Sequence, residues 1–159
     1  MPPRKSNPAS ADSPGEIVST RVFASAREEL FGAFSDPQQL ASWWGPKGFT
    51  NTFHQFDFHP GGAWRFNMMG PDGTAFEMDH QFTEIVRPER IVVRHIQQAH
   101  DFTLTMSFVA QDGATKLTWR MRFDDPAECG RVRAFVIPAN EQNFDRLAAH
   151  LSARRPVDR

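Results

Sequence analysis

Asp36-Pro37-Gln38-Gln39-Leu40-Ala41-Ser42-Trp43-Trp44-Gly45-Pro46 is the stretch on which the fold turns. Asp36 can accept hydrogen bonds from the free amides of a helix start, Pro37 suits the first helical position, and Gln39 can reach back. A short helix is therefore predicted, and Gly45-Pro46 cannot continue it. Two adjacent indoles at its end are poor material for a solvent-facing surface. They predict a helix end and a strand start that meet over something apolar, either a packed core or the mouth of a ligand cavity. Pro60-Gly61-Gly62-Ala63-Trp64-Arg65-Phe66 and then Gly70-Pro71-Asp72-Gly73 follow, and both punctuate strands with tight turns.

Upstream of this stretch, residues 16–24 read as a first strand. Ser25-Ala26-Arg27-Glu28 then has the spacing of a capping box, which predicts a helix to about Phe34 with Leu30, Phe31 and Phe34 facing inward. Downstream, the hydrophobic period changes from helical to two. Strands are predicted over residues 52–58, around Trp64-Phe66-Met68, and from Phe76 through Met78, His80 and Phe82 to the neighbourhood of Arg87-Pro88. Further strands follow over residues 91–96, along Phe102-Leu104-Met106-Phe108, and, after the Asp112-Gly113 turn, along Leu117-Trp119-Met121-Phe123. Phe144, Leu147, Ala148 and Leu151 then recur at helical spacing. Pro138 predicts a kink or a break in that last helix.

The order is β-α-α-β-β-β-β-β-β-α, an α+β arrangement. Six consecutive strands with short turns form an antiparallel meander, and the first strand pairs at an edge. A curved sheet of about seven strands has one apolar face, and the long C-terminal helix is its cover. The chain of 159 residues reads as a single domain over residues 16–152. Residues 1–15, with four Pro and three Ser and no apolar core, read as a disordered tail, and residues 153–159 as a charged one.

A formal net charge of −1 provides no global field to attract nucleic acid or an anionic membrane. No apolar run is long enough to span a bilayer, so the chain reads as cytoplasmic. One cysteine, Cys129, excludes an intrachain disulfide and reads as a small residue near a helix start. Fifteen Phe and no Tyr favour a dry interior, since Phe brings bulk without a hydroxyl that needs a partner.

The motifs resemble the bacterial homologues of the activator of heat shock protein 90 ATPase, in the START-like helix-grip superfamily. The matching residues are Arg21-Val22-Phe23-Ala24-Ser25-Ala26, Leu30-Phe31, Phe34-Ser35-Asp36-Pro37, Leu40, Trp43-Trp44-Gly45-Pro46 and Phe49. They continue through Pro60-Gly61-Gly62, Trp64-Arg65-Phe66 and Gly70-Pro71-Asp72-Gly73 to Phe82-Thr83-Glu84-Ile85-Val86 and Pro88-Glu89-Arg90-Ile91. The resemblance implies a helix-grip fold with a hydrophobic cavity between sheet and C-terminal helix. By family name alone it also implies a chaperone partner, and small domains of this kind often form homodimers. The sequence departs from the family at two places: His80 stands where a Gly is usual, and the Gly-Trp pair often found near Glu141-Gln142 is absent.

A small hydrophobic ligand is the resulting functional expectation, with no cofactor. Trp43 and Trp44 are expected at its entrance, and Trp64, Phe66, Phe82, Trp119 and Phe144 along its wall, unless these simply pack as core. Met78 and Met106 fall on the same strand faces. His80 shares the side of Phe76, Met78 and Phe82 and is the first candidate for a polar contact, helped by a strand arginine or by His95. Glu84 has the parity of His80. The inward face of the strand bearing Arg94 and His95 is left open by the pattern. An enzyme of the cyclase or hydratase kind, using His80 as acid or base, is the alternative, and it needs a second titratable group in the cavity. His54, Asp57 and His59 do not make a metal site, because His54 and Asp57 differ in strand parity and two ligands are too few. Arg65, Arg87, Arg120 and Arg122 read as solvated charges on the outer sheet face.

Overall fold

Period-two alternation builds one sheet, and helical periodicity builds its cover. The structure is a computed structural model and describes residues 14–96 and 101–154. Most of the expected N-terminal tail, and residues 155–159 of the expected C-terminal one, lie outside the described residues. Along the chain come β1 (Glu16–Phe23), α1 (Arg27–Ser35), α2 (Pro37–Trp43), β2 (Thr50–Phe56), β3 (Ala63–Met69) and β4 (Ala75–Val86). Then follow β5 (Arg90–His95), β6 (Phe102–Gln111), β7 (Ala114–Phe123) and α3 (Pro126–Arg154). The sheet order is β1-β7-β6-β5-β4-β3-β2, every neighbouring pair antiparallel. This is the α+β helix-grip architecture. The meander makes each strand from β3 onward pair with its predecessor, β2 forms one edge, and β1 closes the other against β7.

The local chemistry of α2 follows its sequence. The Asp36 carboxylate accepts from the Gln38 amide at 3.0 Å and from Gln39 Nε2 at 3.1 Å. Its last turn ends at Trp44, and Gly45 takes a φ of +103°, with Met68, Phe49 and Arg146 close about it. A side chain at Gly45 would have to displace one of them.

At α1 the capping box fails. The helix starts at Arg27 with Ala26 in the cap position and no side-chain cap. Ser25 is buried, and its carbonyl accepts from Thr115 Oγ1 at 2.7 Å. That bond fastens Ser25, in the bend after β1, to the start of β7. Two further boundaries move. The second strand lies two residues earlier than expected, and α3 runs unbroken through Pro138. Pro138 is exposed, so its ring displaces no core side chain.

Two β-bulges reset side-chain parity. In β2, Phe53 pairs with Phe66 but Gln55 pairs with Arg65, so His54 is the extra residue and Phe53 and Phe56 both face inward. In β4, Phe82 pairs with Val93 but Glu84 with Val92, so Thr83 is extra. Glu84 thereby turns outward, where it binds Arg90 through two bonds of 3.0 and 3.1 Å, and Ile85 takes the inward place. The shared parity of Glu84 and His80 is thus overturned.

The core fills the space between the sheet's inner face and the three helices. Phe31, Phe34, Trp43, Trp64, Phe66, Phe82, Phe108 and Phe144 are among its largest side chains. Several meet edge to face, as Phe34 does with Trp43 (centroids 4.8 Å apart) and Trp119 with Phe144 (4.8 Å). The C-terminal half of α3 is held by polar bonds as well. Arg21 binds Glu141 at 2.7 Å and Asp145 at 2.8 Å, Asn140 Nδ2 donates to Ser19 Oγ, and Asn143 Nδ2 donates to the Trp43 carbonyl.

Candidate functional site

Cross-strand register lays a row of rings over the inner face. Phe56, Trp64, His80, His95, Phe102 and Phe123 are successive partners across β2, β3, β4, β5, β6 and β7. Residues directly opposite on antiparallel strands share a face, so this register settles what alternation left open. His95 faces inward, and Arg94 faces out, where it binds Asp124 and Thr103. His80 Nε2 lies 3.1 Å from His95 Nδ1. His80 stacks on Trp64 (4.7 Å, 29°) and lies nearly parallel to Phe66 (5.4 Å, 2°), and His95 stacks on Phe102 (4.6 Å, 17°).

The electrostatics of this row keep His80 uncharged. Burial, and secondarily the charge of His95, pull the His80 pKa down to about 3, against a weak opposing pull from the Trp64 backbone. His80 Nδ1 is buried without a partner in hydrogen-bond geometry. At neutral pH His80 is therefore uncharged and offers polarity without charge.

The paired indoles are core residues, not an entrance. Trp43 is 1% and Trp44 8% exposed, and Trp43 Nε1 donates to the Ala33 carbonyl at 3.1 Å. Asn143 and Arg146 of α3 bind the backbone around them, and this clamp turns both rings inward. Trp44 lies between Trp64 (5.1 Å) and Trp119 (5.2 Å). Trp64 Nε1 and Trp119 Nε1 are both buried and unpartnered. A small void touches Trp44, Trp64, Phe82 and Met106 and has a volume of about 10 Å³, room for about one water. Phe66 lies in the same wall, Met78 is half-buried at its edge, and Phe144 packs under α3 against Trp119.

The larger apolar opening lies elsewhere. A groove of about 210 Å³ runs between α3 and the loop after Trp44, walled by Pro46, Phe49, Phe135 and Pro138. From residue 130 to residue 139 no residue of α3 is fully buried, although Val132 and Val136 pack partly against the core, whereas Cys129 before the segment and Asn140 after it are buried. Phe135 is 68% exposed. Sequence reasoning missed this groove, yet a signal existed. Phe135 is nine residues before Phe144, about 180° around a helix, so an aromatic stands on the face opposite the core stripe.

The other sequence candidates are dispersed. His54 and His59 are exposed, His59 with its ring at the Pro60 carbonyl, and Gln55 donates to Asp57. Among the described residues, no three His, Cys, Asp or Glu are placed to hold a metal ion. Arg65 pairs with Asp79 and Arg120 with Glu16 on the outer face. Arg87 lies over the Phe31 ring at 4.8 Å. Cys129 is buried at the start of α3 with Arg133 beside it.

A concave antiparallel sheet gripped by a long C-terminal helix, with an aromatic inner wall, defines a helix-grip domain of the START-like class. The chain belongs to the family of activator of Hsp90 ATPase homolog 1-like proteins, whose model matches residues 24–152. Solved structures share the fold. A Nitrosomonas europaea protein superimposes with a TM-score of 0.81 at 16% identity, over 91% of this chain and 98% of that one. A protein from Arthrobacter aurescens does so with a TM-score of 0.81 at 21% identity, over 91% and 89%. The protein of the same family name from Silicibacter pomeroyi gives 0.72 at 23% identity, over 88% and 99%. At these identities the likeness is one of fold. No curated protein matches the chain. Among the described residues, no helix is long and apolar enough to cross a membrane.

Proposed function

We propose that this protein takes up a small hydrophobic molecule between the sheet's inner face and α3. The observation that carries the reading is the apolar groove between Phe49 and Phe135, placed where no residue of α3 is fully buried over ten residues. Apolar concavities with a few polar groups are the usual small-molecule sites. Behind the groove, Gly45 lies against Met68 of the inner face. The void beside Trp64 is too small for a ligand as it stands, so uptake requires the middle of α3 to lift and Trp44 to yield. A pocket of this kind is a minor conformation that a ligand makes dominant. Between Cys129 and Asn140 α3 is held by the partly buried Val132 and Val136 and by the bond from Arg133 to the Glu16 carbonyl, with no fully buried anchor of the kind found on either side, so this is the segment that yields first.

Acid–base catalysis has weaker support. A His held neutral down to about pH 3 is a poor proton carrier at pH 7. The test is titration of the protein with the uncharged probe N-phenyl-1-naphthylamine. Saturable fluorescence enhancement is expected, weakened several-fold by Phe135→Asp. Absence of uptake by the folded protein would overturn the reading.

A further inference from the structure

We propose that the molecule taken up is uncharged and carries an acceptor oxygen, which the indole N–H of Trp64, or that of Trp119, binds. The inference rests on the carrier reading above and specifies its ligand. Trp64 and Trp119 are 1% and 2% exposed, and the Nε1 of each is buried without a partner. An indole nitrogen donates and cannot accept. Trp43 shows the ordinary solution, a bond to a backbone carbonyl. Trp64 and Trp119 lack it, and they flank Trp44, the most exposed of the four indoles. An interior with two unused donors is matched by a guest that brings an acceptor, because a pure hydrocarbon would leave both N–H groups unpaired.

Charge argues against an anionic guest. Among the described residues no Lys or Arg is buried, and the one buried carboxylate, Glu128, is paired with Arg131. Arg21 is engaged by Glu141 and Asp145, and Arg146 by the carbonyls of Ser42, Trp44, Gly45 and Pro46. His80 stacks against Trp64 but is neutral, with Nε2 committed to His95. Lys47 stands at the exposed wall of the groove, but a carboxylate carried inward to Trp64 and Trp119 would lose its hydration and meet no buried Lys or Arg, a cost that two neutral hydrogen bonds do not offset.

Three probes of one shape separate these cases: 2-acetylnaphthalene, 2-naphthoate and 2-ethylnaphthalene, each titrated into the full chain at pH 7.5, with N-phenyl-1-naphthylamine as the reference for uptake. The ketone is expected to bind about tenfold tighter than either of the others, the equilibrium equivalent of one net hydrogen bond. In ¹⁵N-labelled protein the indole proton of Trp64 or Trp119 should move downfield with the ketone and not with the hydrocarbon. Trp64→Phe and Trp119→Phe, which keep a ring and remove the donor, should together reduce the preference to near unity. If the reference binds but the carboxylate equals or exceeds the ketone, or both indole protons stay unmoved, the ligand class is wrong and the carrier reading stands. If neither the reference nor any probe binds, both fall.

Discussion

His80 Nε2 and His95 Nδ1 sit 3.1 Å apart within a row of stacked rings. His80 puts polarity on the inner wall of the sheet without a fixed charge. Two imidazoles can share one hydrogen bond only while at least one ring keeps an unprotonated nitrogen to accept it. Acid therefore strains the pair, and apolar surroundings sharpen that effect.

The first prediction is an acid-labile fold. The folded pKa of His80, about 3, lies below the unfolded value near 6.5. Between those values the unfolded chain binds a proton that the folded chain refuses. Stability from this group is thus complete above about pH 6.5, falls as pH drops, and levels near pH 3. Between pH 8 and pH 5 the loss is about 2 kcal/mol. Urea denaturation followed by tryptophan fluorescence measures it, and His80→Gln should show a flatter profile than the parent over the same range. Parallel profiles for the two proteins would contradict the assignment.

Gly61 and Gly62 should separate by severity. A Cβ on Gly62 would lie 1.9 Å from the Asp57 carbonyl oxygen, a backbone atom that cannot swing away. Gly62→Ala is expected to cost at least about 3 kcal/mol or to prevent folding. Gly61 has a φ of +87° but open space around it. Gly61→Ala should cost only about 1–2 kcal/mol, the strain of a left-handed alanine. Denaturant midpoints of the two variants decide this, and equal costs would be a failure.

Arg146 should prove to be the clamp of the Trp44 loop. It reaches four carbonyls, from Ser42 to Pro46, at 3.0–3.2 Å. No single Lys nitrogen reproduces that fork. Arg146→Met is expected to destabilise by about 2–4 kcal/mol, since charged-group hydrogen bonds contribute more than neutral ones. Arg146→Lys should recover less than half of it. Acrylamide quenching of tryptophan emission should rise in both variants as Trp44 loosens, and unchanged quenching would remove the clamp.

Enlarging the small void should create a binding site without the helix motion. Met106 is 2% exposed and lines it. Met106→Ala is expected to cost about 2–5 kcal/mol. Part of this loss should return as a raised Tm in benzene-saturated buffer, because a guest that binds only the folded state stabilises it. The parent protein should show a much smaller shift. Equal shifts in both would mean that benzene acts elsewhere.

Much of this was written in local chain chemistry. Alternation along Trp64-Phe66-Met68 and Leu117-Trp119-Met121-Phe123 defines inward strand faces, Asp36 and Pro37 start α2, and Gly45-Pro46 stops it. These features depend on neighbours a few residues apart, so sequence alone determined the elements, their order and the helix-grip class. Tertiary structure decided what no local rule contains. Bulges at His54 and Thr83 depend on which partner strand is opposite, and one of them sent Glu84 to solvent while His80 stayed inside. Pairing of β4 with β5 chose His95 over Arg94 as the inward residue. Thr115, ninety residues away, took the carbonyl of Ser25 and so undid its cap. Whether Trp43 and Trp44 lined an opening or filled a core rested on Asn143 and Arg146, a hundred residues further on, because burial depends on the whole packing of a chain and not on the residues beside it.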